Sequence, residues 1–324
     1  MSKPVPWQQR IGSQRDWFWR GWQTRYTYFR PPATALAGTT PVILLHGFGA
    51  SIGHWRHNLE VLGQYHTVYA LDMLGFGASC KAPANYKIQL WVEQVYDFWQ
   101  TFIRQQVVLA GNSMGSMVCL AAAAAHPEMV KGIAMINLPD LSQREEVIPN
   151  WLQPMVFTVE GIFAPLLVKS LFHIIRRPPI LRRILSGLVY ANRQAVTTEL
   201  VEILAEPAQD QGAAAVFSDL FKATNSPDYA PKVKAILPTL DMPMLLIWGL
   251  KDRMIPPSLA RPRQYVELNP NLKLVELDDA GHCPHDECPE QVNQIVLDWL
   301  AAQFKQQPDQ NISSVSATTS ENLS

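Results

Sequence analysis

Four short runs, PVILLHG (41–47), TVYALD (67–72), QVVLAGN (106–112) and GIAMIN (132–137), are apolar almost throughout. An amphipathic stretch separates each from the next, at 54–64, 86–104 and 114–126. A strand with one wet face alternates apolar and polar residues, whereas a strand covered on both faces has no polar side to present. The pattern therefore predicts parallel strands joined by helices that pack on both faces of one sheet, a doubly wound α/β fold. It resumes at MPMLLIWG (242–249) and LKLVEL (272–277), and the amphipathic PEQVNQIVLDWLAAQF closes it. Between about 140 and 238 there is no strand run but several helical ones. The expected organisation is a core over 1–139 and 239–304, a helical cap over 140–238, and a polar, Ser/Thr-rich, disordered tail over 305–324.

Of the 324 residues, 48% are hydrophobic and 17% charged, enough apolar side chain for a large core. The 27 basic and 28 acidic residues leave a net charge of −1, with no basic excess to suggest nucleic acid. Four cysteines, Cys80, Cys119, Cys283 and Cys288, are too sparse for a disulfide scaffold. The opening MSKPVPWQQR lacks the apolar core of a signal peptide, and no run of about 18 apolar residues occurs. Together these features predict a soluble protein of a reducing compartment such as the cytoplasm. The aromatic run WFWRGWQTRYTYF (17–29), broken at Gly21-Trp22, reads as an antiparallel hairpin. The five arginines interleaved over 10–30 read as the wet face of that edge rather than as a nucleic-acid or lipid patch.

Gly111-Asn112-Ser113-Met114-Gly115 joins the run QVVLA to the Ala-rich MVCLAAAAAHP. A serine on a tight strand-to-helix turn, with glycines where the backbones approach, holds its hydroxyl clear of the sheet at a helix N-terminus. Ser113 is the expected nucleophile. A serine needs a base and an orienting acid, which in this chain order follow it at the ends of later strands. Asp252 follows the strand run PMLLIWG and His282 follows LKLVEL, so both fall at the same sheet edge as the turn. Asp140, after GIAMIN, is the competing acid. His54, His57, His66 and His126 fall in helices or at helix ends and are expected at the surface. His46-Gly47-Phe48-Gly49 follows the first central strand, and the backbone amides of Phe48 and Met114 are the expected oxyanion donors. Gly75-Phe76-Gly77-Ala78-Ser79 lacks the third glycine of a dinucleotide fingerprint, since Cys80 stands there. A zinc site at His282-Cys283-His285-Cys288 lacks the usual ligand spacing and would consume the only plausible base. The chemistry thus calls for no metal and no organic cofactor. Asn311-Ile312-Ser313 fits the glycosylation pattern by chance alone.

HGFGAS, LDMLGFGAS, GNSMGS, LIWGLKDRMIP and AGHCPHDECPE occur in the order of the α/β-hydrolase superfamily, which this chain resembles over 41–304 outside the insertion. WFWRGWQTRYTYF, HGFGASIGHWR and AGHCPHDECPEQVN resemble its chloroplast and cyanobacterial branch, which includes pheophytinase and chlorophyll dephytylase. The resemblance implies an α/β-hydrolase fold with an N-terminal antiparallel hairpin and a helical cap. It also implies a Ser-His-Asp ester hydrolase carried by Ser113, His282 and Asp252, acting on a long-chain or phytyl ester. A serine at the elbow argues against the dehalogenase and epoxide-hydrolase relatives, which place aspartate there. Carbon–carbon bond hydrolysis and acyl transfer use the same triad, and a non-catalytic ligand receptor of this fold is an alternative of another class.

From Gly161 to Thr198 there is no acidic residue, while Lys169, Arg176, Arg177, Arg182, Arg183 and Arg193 stand among Leu, Ile, Phe and Val. Two readings fit: a cap helix with an apolar inner face and a solvated basic outer face, or peripheral contact with an anionic lipid surface.

Overall fold

A computed structural model describes residues 5–32, 39–140 and 168–304. The expected tail at 305–324 and the first part of the expected cap, 141–167, lie outside the described residues. Eight strands form one sheet: β1 (Arg15–Trp19), β2 (Trp22–Phe29), β3 (Val42–Leu45), β4 (Val68–Leu71), β5 (Val107–Asn112), β6 (Val130–Ile136), β7 (Met244–Gly249) and β8 (Leu272–Leu277). Their order is β1-β2-β4-β3-β5-β6-β7-β8. β1 and β2 pair antiparallel with each other, β2 pairs antiparallel with β4, and the remaining neighbours are parallel.

The hairpin turns through Arg20 and Gly21, both at positive φ, the two-residue geometry that matches the twist of paired strands. In the central strands every residue is buried. Alternate residues serve opposite faces: Ile43, Leu45, Val107 and Leu109 join the core on one side, and Val42, Leu44, Val108 and Ala110 the core on the other. That two-sided burial is the reason these runs carry no polar alternation.

The helix Ile88–Phe102 packs on the first face with Ile88, Trp91, Val92, Val95 and Phe98, an apolar stripe at helical spacing. Beside it the helix Met114–Ala125 is buried continuously from Met114 to Ala123, which accounts for its small, apolar composition. The opposite face is covered by the helix Pro289–Phe304 and by Leu59 and Leu62. The stretch 54–64 is not the single helix its periodicity suggests. It divides into a 3-10 turn Ile52–Trp55 and a short helix Leu59–Gly63. Between them the Asn58 amide donates to the His285 carbonyl and to Asn293 Oδ1.

The described part of the interval 140–238 holds helices and no strand. Residues 168–175 are helical, followed by Pro178–Ile184, a π turn Leu185–Val189, Thr198–Ala205 and Ala213–Thr224. Among the described residues, no helix is long and apolar enough to cross a membrane.

β3 is flanked by β4 on one side and β5 on the other, so successive crossovers leave it in opposite directions. A crevice opens at the carboxyl ends of strands where the order switches in this way. The turns after β3 and β5 meet there, and those after β6, β7 and β8 follow along the same edge.

Candidate active site

Ser113 stands between β5 and its helix with φ 53° and ψ −118°, a left-handed conformation that a non-glycine residue adopts only when its surroundings impose it. The imposing contacts are visible. The Ser113 N–H donates to the Ile136 carbonyl at 2.8 Å. The Ser116 hydroxyl donates to the Gly111 carbonyl at 2.6 Å and accepts from Ile136 N–H at 2.9 Å. A Cβ at Gly111 would stand 2.3 Å from the Gly115 carbonyl carbon, and one at Gly115 would stand 2.2 Å from the Leu45 carbonyl oxygen. Both flanking glycines are therefore required by close backbone approach, and the serine is the one residue of the turn free to project.

His282 follows β8, and its Nδ1 lies 2.7 Å from Asp252 Oδ2. Asp252 is saturated with donors. Its Oδ2 also accepts from Asn137 Nδ2 at 2.6 Å, and its Oδ1 accepts from the amides of Met254 and Ile255, both at 2.8 Å. A carboxylate so held keeps one lone pair directed at Nδ1, which fixes the proton there and leaves Nε2 unprotonated in the neutral ring. Asp140, the competing acid, instead lies near the Tyr265 hydroxyl at 3.4 Å. Asn137, at φ 48° after β6, also accepts from Gly249 N–H and so joins the ends of β6 and β7. A polar residue closing the apolar run GIAMI at the edge that carries Ser113 is the available signal for it.

Gly47 and Phe48 lie beside the serine, since a Cβ at Gly47 would stand 3.4 Å from that of Ser113. Met114 opens its helix, so its amide has no intrahelical acceptor. Among the described residues, the Phe48 amide also donates to no protein acceptor. His46, fully buried, braces this turn: its Nδ1 is 2.8 Å from the Gly47 carbonyl and its Nε2 accepts from Met73 N–H at 3.0 Å. Burial lowers its pKa to about 4, so the ring is neutral and can hold both bonds at neutral pH.

Ser113, His282, Gly47 and Phe48 border one cavity of about 300 Å³. Its walls are mostly apolar, with Phe172, Leu185, Leu204, Val216, Phe217 and Leu220 among them, all contributed from the 168–238 interval.

His54 does not lie at the surface, contrary to its helix-end position. It is buried, borders the cavity, and has its pKa lowered by burial to about 4. Its Nε2 is 2.8 Å from the Tyr190 hydroxyl, which donates to Asp286 Oδ2 at 2.7 Å. Arg56 Nη1 lies 2.6 Å from Asp286 Oδ1, and Arg56 Nε donates to Glu199 at 2.8 Å. This buried chain binds the turn after β3, the loop of His282 and the helical segment carrying Tyr190 and Glu199 together. His57, His66 and His126 are partly buried. A second tie to that helical segment lies at the π turn Leu185–Val189. It delivers the Val189 carbonyl to His282 N–H at 2.8 Å, while the Glu287 carboxylate accepts from Gly281 N–H and Asn192 N–H. Nothing in the periodicity of the sequence marks this network, because its members come from four separate segments.

Residues 40–289 match the sequence pattern of the alpha/beta hydrolase fold family. The chain is 27% identical over 296 residues to the chloroplastic pheophytinase of Arabidopsis thaliana, covering 80% of this chain and 60% of that protein. It is 28% identical over 265 residues to the dihydrolipoyllysine-residue acetyltransferase component of the acetoin cleaving system of Pseudomonas putida, covering 81% and 64%. It thus spans less than two thirds of the length of either relative. The crystal structure of a membrane phospholipase A superposes with a TM-score of 0.69 at 26% identity, covering 93% of this chain and 89% of that one. With its sheet order, its serine on the β5 turn and this match over most of its length, the chain belongs to the alpha/beta hydrolase fold family.

Proposed function

We propose that this protein is a serine hydrolase cleaving a carboxylic ester of an apolar, long-chain substrate. The observation that carries the reading is an apolar cavity bordered by Ser113, His282 and the Phe48 turn together. Ser113 Oγ attacks the ester carbonyl carbon while His282 Nε2 takes its proton. Asp252 holds the ring and stabilises the imidazolium. The carbonyl oxygen, now negative, is received by the amides of Phe48 and Met114, each such donor being worth roughly 3–4 kcal/mol in the transition state. Collapse expels the alcohol, which leaves with the proton from His282. Water then adds to the acyl-enzyme with His282 again as base, releasing the acid and free Ser113. Among the relatives, pheophytinase supports an apolar substrate with a long-chain or phytyl alcohol, and the phospholipase A supports a lipid ester. Epoxide opening is disfavoured because Ser113 stands where that chemistry uses a carboxylate nucleophile.

The test is turnover of p-nitrophenyl esters of increasing acyl length. A cavity with these walls is expected to raise kcat/KM by roughly two- to fourfold per added methylene until it is filled. Tight stoichiometric ligand binding without turnover of any ester would contradict the reading and favour a receptor built on the same fold. Hydrolysis of a dienoate carbon–carbon bond with no ester turnover would reassign the reaction.

A further inference from the structure

The helix over 168–175 has two faces of different use. Phe172 and Ile175 point into the cavity wall, followed by Arg176. The other face carries Lys169, Leu171, His173 and Ile174, with Arg177 just beyond, and all five are exposed. Leu171 is 51% exposed and Ile174 44%. A face that only meets water gains nothing from two branched aliphatic side chains three residues apart between cations. The same apolar exposure continues around the cavity mouth. Phe48 is 51% exposed and reaches this helix through ring contacts, Phe48 to Phe217 at 5.8 Å and Phe217 to Phe172 at 4.9 Å. Met254, 48% exposed, borders the cavity, and its neighbour Arg253 donates to the Gly187 carbonyl beside the exposed Leu188.

The charge along this segment has one sign, while Asp210 on the far side of the cavity is paired with Lys81. No acidic residue occurs from 161 to 198 in a chain whose net charge is −1. Among the described residues, Lys169, Arg177 and Arg183 have no carboxylate partner, whereas Glu199, which ends the interval, is paired with Arg10 and Arg56. Aliphatic side chains set among unpaired cations around the opening of an apolar cavity match the boundary of a bilayer bearing anionic headgroups.

We infer that the outer face of residues 168–188, with Phe48 and Met254, is a docking surface for an anionic lipid bilayer, seated so that the cavity mouth faces the membrane. Leu171 and Ile174 enter the acyl boundary, Lys169, Arg177 and Arg183 meet headgroup phosphates, and an apolar substrate passes from lipid to cavity without crossing water.

The test is sedimentation of the full chain with vesicles of phosphatidylcholine containing about 30 mol% phosphatidylglycerol, against phosphatidylcholine alone. Binding is expected only with the anionic vesicles, weakening steeply with added salt because the contacts lie at the surface. Neutralising both arginines in Arg177→Gln/Arg183→Gln is expected to lower partitioning roughly 25-fold, about fivefold per cation. Leu171→Ser/Ile174→Ser is expected to lower it roughly tenfold. These four side chains are exposed and lie outside the cavity wall, so turnover of a water-soluble short ester is expected to be unchanged in both variants. Sedimentation reports the surface whether or not the ester reading holds. Failure to bind, equal binding to the uncharged vesicles, or unchanged partitioning in both double variants would overturn the inference. So would light scattering that showed the Leu171/Ile174 face occupied by a second copy of the chain.

Discussion

Asp252→Asn is expected to lower kcat by about 10⁴-fold while leaving the fold and substrate binding nearly intact. The reason lies in the donors around the carboxylate. Oδ1 accepts the amides of Met254 and Ile255, and Oδ2 accepts from Asn137 Nδ2 and His282 Nδ1. An asparagine that keeps its oxygen on the two backbone amides turns its NH2 toward His282, so Nδ1 must accept and the ring proton moves to Nε2. A ring protonated at Nε2 cannot take the proton of Ser113. Steady-state kinetics on a soluble ester, with circular dichroism to confirm folding, measure the effect. Asp140→Asn is the control and is expected to change kcat by no more than a few-fold, its neighbour being Tyr265 rather than the histidine. A loss under tenfold at Asp252, or a larger loss at Asp140 than at Asp252, would move the orienting role to Asp140.

The second large effect concerns stability. Arg56 and Asp286 form a buried ion pair that ties the turn carrying Phe48 to the loop carrying His282. Arg56→Met leaves Asp286 charged in the interior with the Tyr190 hydroxyl as its remaining donor. Removing one partner of such a pair typically costs about 3–5 kcal/mol, most of it the penalty of the stranded charge. The denaturation midpoint is therefore expected to fall with little change in slope. Removing the stranded charge as well, in Arg56→Met/Asp286→Leu, is expected to recover part of the loss. A change under 1 kcal/mol in the single variant would mean that water reaches the site and that the pair does not hold the two loops together.

The fold was readable in the sequence wherever burial acts on one residue at a time. Strands buried on both faces wrote themselves as unbroken apolar runs, and the glycines of the β5 turn mark backbone contacts that no side chain fits. The sequence placed Ser113, Asp252 and His282 at one sheet edge because chain order and strand ends are local properties. His54 was misread for the opposite reason. A short 3-10 turn has no periodicity to reveal which side is buried, and what buries His54 comes from Tyr190 and His285, well over a hundred residues away. Asn137, Tyr190 and Glu287 share that character, since each matters through partners supplied by another segment. The helices over 168–238 are the least legible part, because they need only an apolar inner face and many sequences satisfy that.

Labelling with a fluorophosphonate, followed by mass spectrometry of the modified peptide, tests the central claim most directly. A serine activated by His282 in a reachable cavity is expected to be phosphonylated at Ser113 and nowhere else, with no label in Ser113→Ala. Folded protein that takes no label, or that carries it on another residue undiminished in Ser113→Ala, would contradict the account.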